Sequence, residues 1–204
     1  MNLRSASCSV LWLFGCSVLQ AGASQSYSYW IAPCEEPQSG CQPGDPQLAA
    51  WAMSAWQSAA PDSLQLSPAK DREHARIRLY WATSEQGLYG EARPILVDGK
   101  RGAEVYVRPA PLDTQGDQLL RDTVVYLTCL HETGHALGLP HTADFADIMY
   151  SFQYGGDIPE YFARYRRKLS KREDIRRNSG LSEADVLLIR VYSRSSAAKT
   201  LNAR

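Results

Sequence analysis

Neither sign of charge dominates this chain of 204 residues, because 22 Lys and Arg residues balance 22 Asp and Glu residues. Without a net field there is no electrostatic reason to expect a nucleic acid or an acidic protein as partner. Histidine is scarce, with 4 residues in all. Three of these stand close together in one motif, whereas His74 has no second histidine near it and is expected at the surface.

The chain also lacks an apolar run of the length that a membrane-spanning helix needs. The short run at residues 10–14 follows Arg4 and precedes the small-residue sequence Ala-Gly-Ala at 21–23. Residues 1–23 therefore predict a secretory signal peptide, and with it a secreted or periplasmic protein. An alternative remains open, because Leu-Phe-Gly-Cys ending at Cys16 resembles a lipidation box that would make the protein an anchored lipoprotein.

The most informative segment reads H-E-T-G-H-A-L-G-L-P-H and contains His131, His135 and His141. Four-residue spacing places the first two imidazoles on one face of a helix. Glu132 lies beside them, where it can act as general base on a zinc-activated water. Gly138 can end the helix in a left-handed conformation, so that the chain turns back and brings His141 to the same metal. Three neutral nitrogen ligands and one open position describe a catalytic Zn²⁺ site.

These residues match the extended pattern H-E-x-x-H-x-x-G-x-x-H of the metzincin clan of zinc proteases, which the chain therefore resembles. Met149 follows at the distance expected for the methionine turn of that clan. Within the clan the chain is most similar to the matrixins, which favour glycine where Gly134 stands and Ile-Met-Tyr where Ile148, Met149 and Tyr150 stand. Astacins and serralysins place a tyrosine two residues after the methionine, where this chain has Ser151.

The resemblance covers residues 27–193, and residues 181–186 are similar to the opening of the last matrixin helix. It implies an exported zinc endopeptidase of the metzincin fold. By that resemblance the metal ligands are His131, His135 and His141, the general base is Glu132, and the residue supporting the site from below is Met149. It also implies that a substrate peptide lies extended along an edge strand, which we expect at Ala103, Glu104, Val105 and Tyr106.

Two features of matrixins are missing from the sequence, and a third is ambiguous. The leader is followed almost directly by the catalytic domain, so no cysteine-switch propeptide and no thiol latency are expected. The second, structural zinc of the family lacks histidines between Thr83 and Pro111. Asp98 and Gly99 are similar to a calcium-binding turn of the family, yet a hairpin turn explains them equally well.

The remaining pattern predicts an α+β fold, a mixed twisted sheet over a central zinc helix, with a last helix after the methionine turn. Asp45-Pro46 predicts a helix start, residues 75–82 alternate as a half-buried strand, and residues 95–108 indicate a hairpin. Residues 117–137 predict the zinc helix and 181–192 the last helix. The catalytic domain is thus expected over residues 24–193, followed by a loose polar tail at 194–204.

Three cysteines remain after the leader. Cys34 and Cys41 flank a turn-rich segment, so we expect a disulfide between them in an exported protein. Cys129 lies two positions before the first zinc ligand, and we expect a small buried apolar residue there.

Residues 160–180 form an insertion that is rich in arginine and lysine. A solvated helix face explains it, while an exosite that recruits an acidic protein or an anionic surface is the functional alternative. The favoured function is a monomeric zinc endopeptidase acting on protein or peptide. The alternative is a non-catalytic zinc-containing protein that binds through the basic insertion.

Overall fold

A computed structural model of the protein describes residues 24–83, 89–109, 114 and 116–201. The expected signal peptide, residues 1–23, and the alternative anchor at Cys16 lie outside the described residues. The described part forms an α+β fold with a five-stranded mixed sheet and four α-helices. Among these residues no helix combines the length and the apolar character that a membrane span requires.

In chain order the elements are β1 (Gln25–Ile31), α1 (Asp45–Ala59), β2 (Leu64–Pro68), β3 (Ile77–Trp81), β4 (Gly90–Val97), β5 (Lys100–Val107), α2 (Gln118–Leu137), α3 (Ile158–Arg166) and α4 (Glu183–Leu201). Short 3-10 helices lie at Pro37–Ser39, Phe152–Tyr154 and Arg172–Arg176. The helices and strands expected from the sequence are thus confirmed as elements, with differences at their ends.

The strand order in the sheet is β2-β1-β3-β5-β4. β4 runs antiparallel to β5, and every other pair is parallel. The expected hairpin is confirmed, but its turn is only Asp98-Gly99, with φ angles of 50° and 70°. Positive φ at both positions is what a two-residue turn of type I′ requires, and Asp-Gly supplies it at low cost.

The prediction that residues 103–106 lie in an edge strand is wrong. β5 pairs with β3 on one side and with β4 on the other, so its backbone groups are used within the sheet. β4 instead forms the edge, because the tight hairpin folds it back on the outer side of β5. The hairpin pattern predicted that two strands pair but not which of them also joins β3.

One face of the sheet packs against α1 and α2. Ile77, Leu79 and Trp81 of β3 are buried on this face, and they alternate with half-buried residues as the sequence pattern predicted. The two helices are joined across the core, since the indole N–H of Trp56 donates to the carbonyl of Leu130 at 2.8 Å. The core therefore holds α2, which carries the histidine motif, firmly under the sheet.

The start of α1 differs from the sequence-based expectation. Gly44 is the N-cap, and Asp45 is the first helical residue, fully buried. Its carboxylate accepts two hydrogen bonds from the Arg121 guanidinium, at 2.8 and 2.7 Å. Asp45 thus anchors α1 to α2 through a buried ion pair instead of capping the helix.

The basic insertion at residues 160–180 packs against the rest of the domain. α3 buries Tyr161, Phe162 and Tyr165, and two of the basic residues pair with acidic groups on or next to α2. Arg166 Nε lies 3.1 Å from an Asp117 carboxylate oxygen, and Arg172 Nη1 lies 2.9 Å from an Asp122 oxygen. The tail also differs from its prediction, because α4 continues to Leu201.

The three cysteines follow the prediction. Cys34 and Cys41 form a disulfide with a Cα–Cα distance of 5.3 Å. Cys129 is free and fully buried in α2. His74 is exposed, as expected, and its Nδ1 pairs with an Asp71 oxygen at 2.7 Å.

Candidate metal centre

α2 and the loop after it bring three histidine nitrogens together. The Nε2 atoms of His131 and His135 are 3.1 Å apart. The Nε2 atom of His141 lies 3.0 Å from that of His135 and 3.3 Å from that of His131. The loop can turn back because Gly138 ends the helix with φ of 104°, a left-handed value that favours glycine. The structure therefore joins all three residues that the sequence pattern selected.

Backbone carbonyls determine which ring nitrogens carry the protons. Nδ1 of His131 lies 2.6 Å from the Ile148 carbonyl oxygen, and Nδ1 of His135 lies 2.9 Å from that of Leu139. A carbonyl only accepts, so both Nδ1 atoms must be protonated, and the two neutral rings then point Nε2 lone pairs at each other. Such lone pairs repel one another unless a cation lies between them.

The spacing fits a tetrahedral zinc ion. With Zn–N distances of about 2.0–2.1 Å, two ligands of a tetrahedral ion are about 3.3 Å apart. The three observed distances of 3.0–3.3 Å come close to this value. Carbonyl partners on the second ring nitrogen are the usual way in which a protein orients histidine ligands of a metal.

The histidines are also held in the neutral form that a metal ligand needs. Burial, together with a smaller effect of the neighbouring imidazoles, lowers the pKa of His131 to about 3. Burial likewise lowers the pKa of His135 and of His141. Uncharged rings are therefore available to a cation at neutral pH.

Glu132 lies next to the three ligands and is buried. Burial, with a smaller contribution from the Glu91 carboxylate, raises its pKa to about 8. A Cβ atom built on Gly90 would lie 2.6 Å from Glu132 Cγ, so the edge strand approaches this side chain closely. Glycine at position 90 thus leaves room for the carboxylate between α2 and the first residue of β4.

The methionine turn lies beneath the histidines, and Met149 is fully buried there. The turn is held by Asp185 of α4, whose carboxylate accepts from the amides of Ile148 and Met149 at 2.8 and 3.4 Å. Tyr161 of α3 donates its hydroxyl to the Asp147 carbonyl at 2.9 Å. Sequence reasoning missed both Asp185 and Tyr161, since neither stands near the motif along the chain.

A cavity of about 440 Å³ opens beside the histidines and Glu132. Five tyrosine and phenylalanine side chains contribute to its walls: Tyr89, Tyr150, Phe152, Tyr161 and Phe162. The N-terminal half of β4 forms one rim, and Thr128 of α2 contributes to the lining. The cavity can therefore take a large apolar side chain next to the candidate metal centre.

The remaining metal-related prediction was a possible calcium ion at Asp98. Asp98 occupies the tight hairpin turn and belongs to none of the groups of three or more His, Cys, Asp or Glu residues that the described part brings together. The second such group, with Cys34, Cys41 and Asp45, has its thiols in a disulfide and its carboxylate in an ion pair. The histidine triad is therefore the candidate metal centre of the described residues.

The chain matches none of the protein-family models with which it was compared, and no curated protein sequence is significantly similar to it.

Proposed function

We propose that the protein is a zinc-dependent endopeptidase with a metzincin-type, matrixin-like catalytic domain. The observation that carries the proposal is the convergence of three neutral histidine nitrogens beside a buried glutamate at the rim of an aromatic cavity. His131, His135 and His141 would hold the ion, and their arrangement leaves a fourth position for substrate, as in catalytic zinc sites.

Zinc, when bound, supplies a Lewis acid that polarises a peptide carbonyl and makes a nearby water more acidic. Glu132 supplies the base. Its carboxylate takes a proton from the attacking water and passes it to the leaving amine nitrogen as the C–N bond breaks. A bound dication also favours the carboxylate form of Glu132 and so opposes the effect of burial on its pKa.

β4 supplies the surface along which a peptide would lie. It is an edge strand, and its first residues, Gly90 to Ala92, line the cavity that contains Glu132. An extended peptide could pair with its free backbone groups and place one side chain in the aromatic cavity. This assigns to β4 the role that the sequence alone suggested for residues 103–106.

The alternative of a non-catalytic zinc protein acting through the basic segment receives less support. Arg166 and Arg172 are used in ion pairs with Asp117 and Asp122, so part of the positive charge is already neutralised. A buried general base beside the metal ligands also has no role in a purely structural zinc site.

The decisive experiment compares Glu132→Gln with the wild type on casein and on a quenched fluorescent peptide library. We expect the variant to keep its zinc and fold while kcat/KM falls by about two orders of magnitude or more. Glu73→Gln is the control, because Glu73 is exposed and its carboxylate pairs with Arg72 alone among the described residues. Zinc binding without any chelator-sensitive cleavage by the wild type would instead support the non-catalytic alternative.

We also propose that the protein is exported, with cleavage after Ala23. The Cys34–Cys41 disulfide supports an oxidising compartment. Intact mass without reducing agent should show a chain that begins at Ser24 and has lost two hydrogens. A lipid-modified chain beginning at Cys16 would contradict cleavage at Ala23 and favour the anchored form.

A further inference from the structure

A second recess of about 370 Å³ lies on the other side of His135 from the aromatic cavity. Its walls come from Ala92 and Pro94 of β4, from Arg101 of β5, and from the chain just after α2. Ala92 and His135 line both the recess and the cavity. A peptide that follows β4 past the metal centre would therefore cross both.

Arg101 is the charged residue of this recess, and it contacts the end of α2. Its guanidinium packs on the end of α2, with Nη1 3.0 Å from where a Cβ atom on Gly138 would lie. A cation is favourable at this place, because the C-terminus of a helix carries partial negative charge. The backbone is held as well, since the Arg101 carbonyl accepts from Arg76 Nε at 2.8 Å and from its Nη2 at 2.5 Å.

The donors of Arg101 are unused within the part of the chain that the structure describes. Its side chain is exposed. Among the described residues it donates no hydrogen bond and pairs with no carboxylate. Several of the other arginines differ in this respect, since they donate from the side chain to a protein acceptor: Arg76, Arg78, Arg93, Arg121, Arg166, Arg167, Arg172 and Arg190. A planar fork of N–H groups is thus available beside a zinc-ligand candidate, and carboxylates match such a fork.

We propose that Arg101 binds an acidic side chain of the substrate on the side of the metal centre opposite the aromatic cavity. The inference rests on the proposed peptidase function and adds a substrate class to it. The cavity and the recess together would then recognise two features of a peptide: a large apolar residue in the aromatic cavity, and an Asp or Glu residue near Arg101. An exposed ion pair with hydrogen bonds of this kind should change kcat/KM by about fivefold.

The test uses acetylated and amidated fluorogenic peptides in which a single Glu, Gln or Lys is moved through each position around one scissile bond. At one position on the recess side, the wild type should cleave the Glu peptide about fivefold faster than the Gln peptide. Arg101→Gln should bring this ratio close to one, and Arg101→Glu should reverse the preference toward Lys. Lys100→Gln is the matched control, because neighbouring strand residues point to opposite faces, and it should keep the wild-type ratio.

An unchanged Glu-to-Gln ratio in Arg101→Gln would overturn the proposal. So would a carboxylate preference that is absent from these blocked peptides and appears only in matched peptides with a free C-terminus, since the bound group would then be the chain end. If no peptide is cleaved at all, the proposed function fails, and binding of the same peptides to zinc-loaded Glu132→Gln decides the question separately. Equal Kd values for Glu and Gln peptides in that measurement would overturn the Arg101 site.

Discussion

Gly134 of α2 lies directly over the sulfur of Met149. A Cβ atom built at position 134 would be 2.4 Å from Met149 Sδ and 3.1 Å from a ring carbon of Trp56. The two residues are therefore complementary in shape: the helix approaches the methionine turn closely because position 134 has no side chain. This contact sets the height of His131 and His135 above the turn.

Gly134→Ala should consequently destabilise the protein although alanine is the better helix former. The gain in helix propensity is about 1 kcal/mol, whereas overpacking a core costs about 1–3 kcal/mol. We expect a lower midpoint in urea unfolding and weaker zinc binding. Combining it with Met149→Ala removes the clash, so the double variant should lose less than the sum of the two single losses. Strict additivity would show that the two residues do not interact.

Zinc should bind at about one ion per chain and raise the melting temperature. A ligand that binds only the folded state at 100 times its Kd stabilises it by about 2.7 kcal/mol. Metal analysis and thermal unfolding with and without chelator measure both effects. His135→Ala should abolish them, while His74→Ala, at the exposed histidine, should leave them intact. A metal-free protein after zinc has been supplied would contradict the assignment.

Thr128→Val should stabilise the protein, because the Thr128 hydroxyl is buried and has no hydrogen-bond partner among the described residues. Valine keeps the shape and removes an unpaired polar atom, so we expect a gain of about 1 kcal/mol in the free energy of unfolding. Thr123→Val is the matched control on the same helix. Its hydroxyl donates to the Leu119 carbonyl at 2.9 Å, so this change should cost about 1 kcal/mol. Equal effects of both changes would refute the argument.

Asp45→Ala should be among the most damaging single changes outside the metal centre. It leaves the Arg121 guanidinium, which has 8% of its side chain exposed, without its bidentate partner. Removing one member of a buried ion pair costs about 3–5 kcal/mol. Glu73→Ala breaks the exposed pair with Arg72, and its unfolding midpoint should match that of the wild type. Chemical unfolding of both variants gives the comparison.

Rules that involve only neighbouring residues were enough to predict the elements that carry the candidate metal centre. A four-residue spacing puts His131 and His135 on one helix face whatever surrounds them, and Gly138 ends the helix because of its own backbone freedom. The turn at Asp98-Gly99 follows from the same kind of rule. Such features depend on a few neighbouring residues, so they could be predicted from the sequence without knowledge of the fold.

Hydrogen-bond partners that are distant in the sequence could not be predicted in this way. The carbonyl of Ile148, which orients His131, and the carboxylate of Asp185, which holds the methionine turn, come from other elements. The same applies to Asp45, which was expected to cap α1 but pairs with Arg121, 76 residues away. A helix-start pattern is local, whereas a buried carboxylate responds to whatever positive charge the fold brings to it.

By itself, then, the sequence determined the candidate ligands, the base and the helix that presents them, because helix geometry relates those residues at short range. Only the tertiary structure decided that β4 and not β5 forms the edge of the sheet, and that Arg101 meets the end of α2. Strand order and contacts between elements depend on how apolar faces pack together across the whole domain. That packing, and not any single motif, determines which surfaces a substrate could reach.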